Sequence, residues 1–594
     1  MPPKCSRNTS FWIAKFLQSR SEDLMDDYLP SYTNATHQDP WELVAPYLFA
    51  PELLSTALVS RSWHQNFSAQ LWGNPLAHFA EDDTVYVVLT RFIKSLPQAR
   101  SFVRQWTHTL QISPSNDESY GYPPSTWLRD VLDWLPGLQS LVVHGVPFFD
   151  HASLLNLRNP SPNSSGYGIR LLDASNCINA TSSGLLKALQ CLPNLVYLDL
   201  SHTPAVKGHS VLLQLGRLRT LRVLKLASLS LKHNDIAILA ATVQRGVRSL
   251  DLRNNELTDA SVRLIRDRCF GVNDDPLVPT AETQDVDLEK HIRTRLAQGH
   301  VGSLSVEDQF DGGVTHLYVA GNCITAASAA DLLEPGRLHA LDVGDLCPPT
   351  GPPWIVHSEG AAPDPMSGAR RLGELLFGPG SGRLKYLRIS HSVVTTDFSR
   401  WMSSSRLSPS ENRGDPPIYT PSPSSRHHLA IFNSLYSLTL TSIPSHTTDH
   451  SIPANLKDLI HSCAASTADH RGAYDPPTLR RITLEVISQP QHPRTRERHT
   501  LSSTEDQDTE VFWQAARDDF SFFQDEKVDV DPQLLGGSDG ASETSEPLYD
   551  VVSEIAQYRR ARKAAYEAAR RRGIDGTMAG YWPGEVAVVR KTSE

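Results

Sequence analysis

The chain is poor in the features that mark secretion, membrane insertion or metal binding. Cysteine is scarce: the seven residues Cys5, Cys177, Cys191, Cys269, Cys323, Cys347 and Cys463 are odd in number, include no CxxC, and several occupy apolar positions. That excludes a disulfide framework and paired Cys/His metal spacing, and predicts buried free thiols in a reducing compartment. No stretch approaches the roughly 18 consecutive apolar residues of a membrane-spanning helix. The opening MPPKCSRNTSFWIAKFLQSR has only a short apolar patch broken by Lys15, without the apolar core of a secretory signal. A cytoplasmic and/or nuclear location follows as an expectation, with no membrane partner. Net positive charge is lacking as well, and a formal charge of -10 gives no reason to expect nucleic-acid binding.

Catalytic signatures are absent too. There is no HExxH, GxSxG or GxxxxGK[ST]. The Gly-rich GPGSGR at Gly378 to Arg383 precedes a strand-like segment instead of linking a strand to a helix, so it lacks the setting of a phosphate loop. The 23 histidines are scattered. No enzyme activity, metal or cofactor is expected.

What the chain does have is a repeat. LVYLDLSHT at Leu195, LRVLKLASL at Leu221 and VRSLDLRNN at Val247 carry one LxxLxLxxN pattern at intervals of 26 residues. Looser copies begin at Leu138, Ile169, Val314, Leu338, Leu384, Leu435 and Leu479, and THTLQIS from Thr107 supplies a first strand, about eleven in all. The pattern resembles the leucine-rich repeat. Each unit is too small to bury its own apolar face and is stable only against its neighbours. The predicted fold is α/β: a leucine-rich-repeat solenoid, a curved parallel sheet with convex helices, over residues 81–490. Insertions are expected near 272–312, 347–380 and 400–430, the first of them helical around Leu288 to Leu296. Asn234 and Thr258 are expected to cap convex helices closed by Gly246 and Gly271. The ninth-position Asn or Cys is present as Cys177, Asn255 and Asn322, and Thr203, Leu229 and Ser392 read as degraded versions with less regular repeats.

Residues 36–80 form a second unit, dense in Leu, Val and Trp. The order YL-x-x-x-x-LL-x-x-ALVSRSW, from Tyr47 to Trp63, followed by Leu71-Trp72, closely resembles the F-box, a small all-α module. The resemblance implies docking to the Skp-type adaptor of a cullin–RING ubiquitin ligase. By position it assigns Leu43, Val44, Pro46, Leu48, Leu53, Leu54, Leu58 and Val59 to that surface. A domain this small with this many large apolar residues should leave an apolar patch wanting a partner. The other reading is an N-terminal cap for the solenoid.

A leader (1–35) precedes these units. After them come an acidic segment (491–546), a basic helix (547–573) and a tail (574–594). Residues 501–546 hold thirteen Asp/Glu against Arg517 and Lys527, and their aromatics, Phe512 and Trp513 among them, are expected to cap the last repeat. The basic helix suits a nucleic acid, an importer, the acidic tract or plain solvation. GYWPGEVAVVRK reads as a short strand without assigned role.

In each repeat the third, fifth and seventh positions should face the concave side. They give His144, Tyr197, Asp199, Lys225, Asp251, Arg253, His316, Tyr318, Tyr386 and Arg388 as a mixed surface suited to an unknown protein substrate. Together these features predict a substrate-recognition subunit of a Skp–cullin–F-box type ubiquitin ligase. The alternative is a non-catalytic repeat scaffold or a GTPase-regulating repeat protein whose N-terminal helices only cap the array.

Overall fold

A computed structural model describes residues 40–79, 85–114, 122–159, 166–271, 288–304, 306–307, 312–347, 368, 371–373, 375–376, 383–395, 435–469, 479–488, 549–572 and 581–592. The leader, the acidic segment, most of the second insertion and all of the third lie outside them.

The repeats stack as expected, strand on strand. The strands are β1 (Thr109–Gln111), β2 (Ser140–Val142), β3 (Leu171–Asp173), β4 (Tyr197–Asp199), β5 (Val223–Lys225), β6 (Ser249–Asp251), β7 (His316–Tyr318), β8 (Ala340–Gly344), β9 (Tyr386–Ser390), β10 (Ser437–Pro444), β11 (His446–Thr447), β12 (Arg481–Ser488), β13 (Tyr549–Asp550) and β14 (Glu585–Thr592). Twelve of them form one parallel sheet in the order β1-β2-β3-β4-β5-β6-β7-β8-β9-β10-β12-β14, and β11 pairs antiparallel with β13. Most early strands are three residues long because the chain must turn back toward the convex side. The turn recurs at fixed spacing: the eighth residue of six successive repeats, Gly145, Asn176, His202, Ser228, Asn254 and Gly321, has a φ between 53° and 73°. At Gly321 the left-handed backbone also runs so close that a Cβ would fall 2.0 Å from the Asn254 Oδ1.

Inside the curve, Leu195, Leu198 and Leu200 and their counterparts in each repeat are fully buried against helices such as Ser182–Cys191, His233–Val243 and Asp259–Cys269. The ninth position closes the turn. Asn255 Oδ1 accepts from the Leu229 and Leu231 N–H groups at 3.0 Å each, and its Nδ2 donates to the Leu226 and Leu252 carbonyls at 2.9 Å each. Asn322 repeats the arrangement on Leu257, Leu252 and Val319. Thr203, expected to be a degraded slot, fills it: its hydroxyl donates to the Ala174 carbonyl at 2.8 Å and accepts from the Cys177 N–H at 3.1 Å. A shorter side chain serves because the hydroxyl can be donor and acceptor at once.

Two expectations about helix ends divide. Thr258 is the N-cap of Asp259–Cys269, with its N–H donated to the Ser261 Oγ at 3.4 Å. Asn234 lies inside its helix instead; Lys232 is the N-cap, and its N–H donates to the Asp235 carboxylate at 2.9 Å. An acid at the third helical position satisfies the exposed donor from within the first turn.

At the far end, the presumed tail joins the solenoid. β14 pairs in parallel along β12 from Arg481↔Glu585 to Ser488↔Thr592 and becomes the last strand of the sheet. The basic helix Val551–Arg571 buries Val551 and Ile555 against the convex layer, where Glu554 meets the Lys457 ammonium at 2.6 Å. Arg559 turns back to donate to the Gly584 carbonyl at 2.8 Å, while Arg560, Lys563, Arg570 and Arg571 face solvent.

At the near end, the helices Pro40–Val44, Ala50–Thr56 and Arg61–Gly73 surround a core of Ala45, Leu53, Ala57 and Phe67, with Trp63 and Leu71 packed against it. Ser60 caps the third helix by accepting from the Trp63 N–H at 3.2 Å. This module meets the solenoid where the His108 N–H donates to the Gly73 carbonyl at 3.2 Å. The architecture is an α/β leucine-rich-repeat solenoid preceded by a small helical module.

Candidate functional site

Two surfaces expected from the sequence to engage another macromolecule lie among the described residues, and the structure redraws both. The first is the concave face. Between β6 and β7 the chain inserts a helix, Leu288–Ala297, that lies across β3 to β6 and reaches β1, where the Thr109 hydroxyl donates to the Leu296 carbonyl at 3.4 Å. Its Leu288, Ile292 and Leu296, spaced four apart, fall on one helix face, and they pack with Leu304 and Val306 onto Leu171, Val196, Tyr197 and Val223. Leu171, Tyr197 and Val223 occupy the third position of three adjacent repeats, so the sheet offers an apolar strip there, and the helix covers it.

Charged groups flank the strip. Arg293 pairs with the Asp173 carboxylate, donates its Nε–H to the Tyr197 hydroxyl at 2.9 Å and comes within 4.0 Å of Asp199. On the helix's other flank, Glu289 accepts from the Ser249 hydroxyl at 2.9 Å and sits 3.3 Å from the Lys225 ammonium, which also reaches Asp199 at 3.5 Å. Burial would lower the Lys225 pKa, but Glu289, Tyr197 and Asp199 outweigh it and hold the ammonium well above its ordinary range. At Asp173 burial pushes upward, whereas hydrogen bonding from Ser175 and the pairing with Arg293 overcome it, leaving the carboxyl below its ordinary value. Glu289 goes the other way: burial raises it despite Lys225.

After the helix, a strap with Val301, Leu304, Val306 and Glu307 follows the rim of the sheet. Each repeat's second position lies just before its strand, and there Gln139, Arg170, Arg222 and Arg248 form a row of donors. The Gln139 side chain exchanges hydrogen bonds with the Val301 backbone at 2.8 and 3.0 Å, and Arg170 donates to the Val301 carbonyl at 2.7 Å and pairs with Glu307. Arg222, fully buried, donates to the carbonyls of Val306 at 2.9 Å and Glu307 at 2.7 Å as well as to its own turn.

The expected substrate face is therefore divided. Tyr197 is 0% exposed, and Asp199 and Lys225 face the inserted helix, so these three are not free for cargo; the helix that covers them was read from the sequence as a separate element. His316, expected on the surface, is also buried, its ring 5.9 Å from that of His339. His144 is exposed and hydrogen-bonded to the Ser175 hydroxyl at 2.8 Å. From β6 onward the concave residues form ion pairs. Asp251 takes a two-point grip from Arg253, whose guanidinium lies 5.6 Å from the Tyr318 ring centre. Arg388 bridges Asp342 at 2.8 Å and Glu485 at 2.7 Å, Lys591 reaches Glu485 at 2.6 Å, and Tyr386 stands half-buried beside Arg388 on the same strand. Asp173, Gln139, Arg170, Arg222, Asp342 and Glu485 were missed from sequence, although the second-position Gln and Arg residues recur in register and could have signalled a row.

The second surface is on the N-terminal module. Leu43, Val44, Pro46, Leu54, Leu58 and Val59 are exposed, Leu58 at 85%. Leu53, assigned to the same surface by position, is instead 0% exposed: it faces Phe67 and is the centre of the module's core. Leu48 is half-buried against that core. Tyr47 at 84% and Phe49 at 77% join the exposed patch with Trp41. Both flank Leu48, at the junction of a 3-10 turn (Ala45–Tyr47) and the next helix (Ala50–Thr56).

Among the described residues no group of three or more His, Cys, Asp or Glu could hold a metal ion, and no helix is long and apolar enough to cross a membrane. Cys177, Cys191, Cys269 and Cys463 are buried free thiols, while Cys323 is exposed. No protein-family model matches the chain, and no curated protein matches its sequence. Among solved structures, the chain is similar to the Rad7 and Elc1 complex in yeast at 13% identity and a TM-score of 0.31, over 85% of this chain and 100% of that one. It is similar also to the TLR13–ssRNA13 complex at 12% identity and a TM-score of 0.26, over 66% of this chain and 42% of that one.

Proposed function

We propose that the chain is the substrate-recognition subunit of a Skp–cullin–F-box type ubiquitin ligase, with no catalytic residues of its own. The helical module docks on the adaptor while the solenoid holds a protein, which raises that protein's effective concentration near the transfer machinery. One observation carries the reading. A module of about forty residues with its own core leaves Tyr47, Phe49, Leu54, Leu58 and Val59 in solvent, and so many exposed large apolar residues on so small a unit favour a protein partner. The F-box resemblance from Tyr47 to Trp63 names the kind of partner.

The module also meets the first repeat through Gly73 and His108, which suits a role as cap alone. Co-purification separates the two. Full-length chain is expected to capture a purified Skp-type adaptor, and Tyr47→Asp/Leu58→Asp, both on the exposed patch, to lose it with an unchanged melting temperature. Failure of the wild-type chain to bind, or full binding by the double variant, leaves the cap.

A further inference from the structure

The insertion between β6 and β7 leaves the sheet and returns to it at one point. Phe270 and Gly313 form an antiparallel bridge at its neck. Across the gap β6 pairs with β7 in the ordinary register, Ser249 opposite His316 and Asp251 opposite Tyr318. Among its described residues the excursion adds no strand to the ladder. Its helix and strap lie on a finished surface.

Its hold on that surface has two parts of different character. The strap is held through carbonyls of Val301, Val306 and Glu307 on Gln139, Arg170 and Arg222, with the Glu307 carboxylate on Arg170 and the buried Leu304 and Val306 side chains beside them. The carbonyl contacts ask for a shape, and the side chains add one acid and two apolar residues. The helix is held by side chains: an apolar stripe on Leu171, Tyr197 and Val223, an acid on Lys225 and an arginine on Asp173. That part asks for a sequence.

We infer that the concave face over β3 to β6 is a binding site for an amphipathic helix with apolar residues at i, i+4 and i+8, an acid at i+1 and an arginine at i+5. Residues 288–307 occupy it in cis, and a partner segment of that pattern takes their place. The inference rests on the concave face being the recognition face of the proposed receptor. A tethered occupant acts at an effective concentration on the order of millimolar, so for a segment with a Kd of about 10 μM on the emptied site a competing helix in trans binds the intact chain roughly 100-fold more weakly.

The test is a titration of a fluorescent peptide of residues 286–308 into two proteins: the full chain, and a chain in which a Gly/Ser linker replaces residues 273–311. The excised chain is expected to bind the peptide, and the full chain to bind it about 100-fold more weakly. A peptide carrying Glu289→Lys and Arg293→Asp is expected to lose about tenfold or more on the excised chain. A folded excised chain that ignores the peptide, or a full chain that binds it equally well, overturns the inference. Should the excised chain fail to melt cooperatively, the full chain with Glu289→Lys and Arg293→Asp decides. It is expected to bind the wild-type peptide more tightly than the unaltered chain does, and equal binding overturns the inference. Adaptor capture is measured in parallel, because peptide binding without adaptor capture refutes the ligase reading while leaving this site in place.

Discussion

The Nε–H of Arg293 donates to the Tyr197 hydroxyl at 2.9 Å, and the same guanidinium lies over the Tyr197 ring, 4.8 Å from its centre. Because Arg293 also pairs with Asp173, one side chain of the insertion grips two adjacent strands, β3 and β4. The planar fork makes this possible: one edge donates to the phenol oxygen and the other to the carboxylate, with the flat face on the ring.

Arg293→Lys should therefore be a poor replacement. A point charge can keep Asp173 or the ring, not the whole set. We expect Arg293→Ala to weaken the insertion's hold by about 1–2 kcal/mol, given that the side chain is two-fifths exposed, and Arg293→Lys to recover less than half of that. Limited proteolysis of the insertion measures it: cleavage speeds up in both variants, and equal rates in wild type and Arg293→Lys would contradict the fork.

Acid should loosen the same contact through Asp173. Its folded pKa is depressed, so its contribution is fully present above the unfolded value of about 3.9 and disappears as pH falls through the lower folded value. Asp173→Asn should thus be less stable than wild type at pH 5 and above, and the gap should close as pH drops below about 4. Urea titrations at several pH values check the sign. A gap that widens in acid contradicts it.

How far the sequence could carry this picture depends on range. The 26-residue period and the Leu195, Leu198 and Leu200 pattern are local, and they lead to the sheet and its core directly. The seat of Leu288 to Leu296 is not local. The helix is legible from its spacing, and Leu171 and Val223 stand out as apolar residues on a face expected to be wet, but their meeting joins residues more than 60 positions apart. β14 escaped the repeat pattern for a related reason, since GEVAVVRK pairs with β12 only after the acidic segment has intervened. Leu53 shows a different limit. In Leu53-Leu54 both residues are equally apolar, and only the closing of the module around Phe67 turns the first inward and the second out.

The ninth-position ladder offers a comparison within one fold. Asn255→Ala removes five hydrogen bonds and leaves backbone groups of two successive turns unpaired, for which we expect a loss of about 3 kcal/mol or more. Thr203→Val keeps the shape and removes one donor and one acceptor, for an expected loss of about 1–2 kcal/mol. Equilibrium unfolding orders the two, and equal losses would mean that Thr203 closes its turn by packing alone.

Leu53 and Leu58 separate the two roles that one apolar pattern encodes. Leu53 touches the module's core and has no exposed surface, so Leu53→Ala opens a cavity beside Phe67 and should cost about 2–5 kcal/mol. Leu58 spends its side chain in solvent, so Leu58→Asp should change stability by no more than about 0.5 kcal/mol. Adaptor capture is expected to rank them in the opposite way at a temperature where both variants stay folded: Leu53→Ala retains it and Leu58→Asp loses it. The inversion matters because a variant that merely unfolds the module loses both properties together. A Leu58→Asp chain that is stable and still captures the adaptor would assign the exposed patch to some other contact.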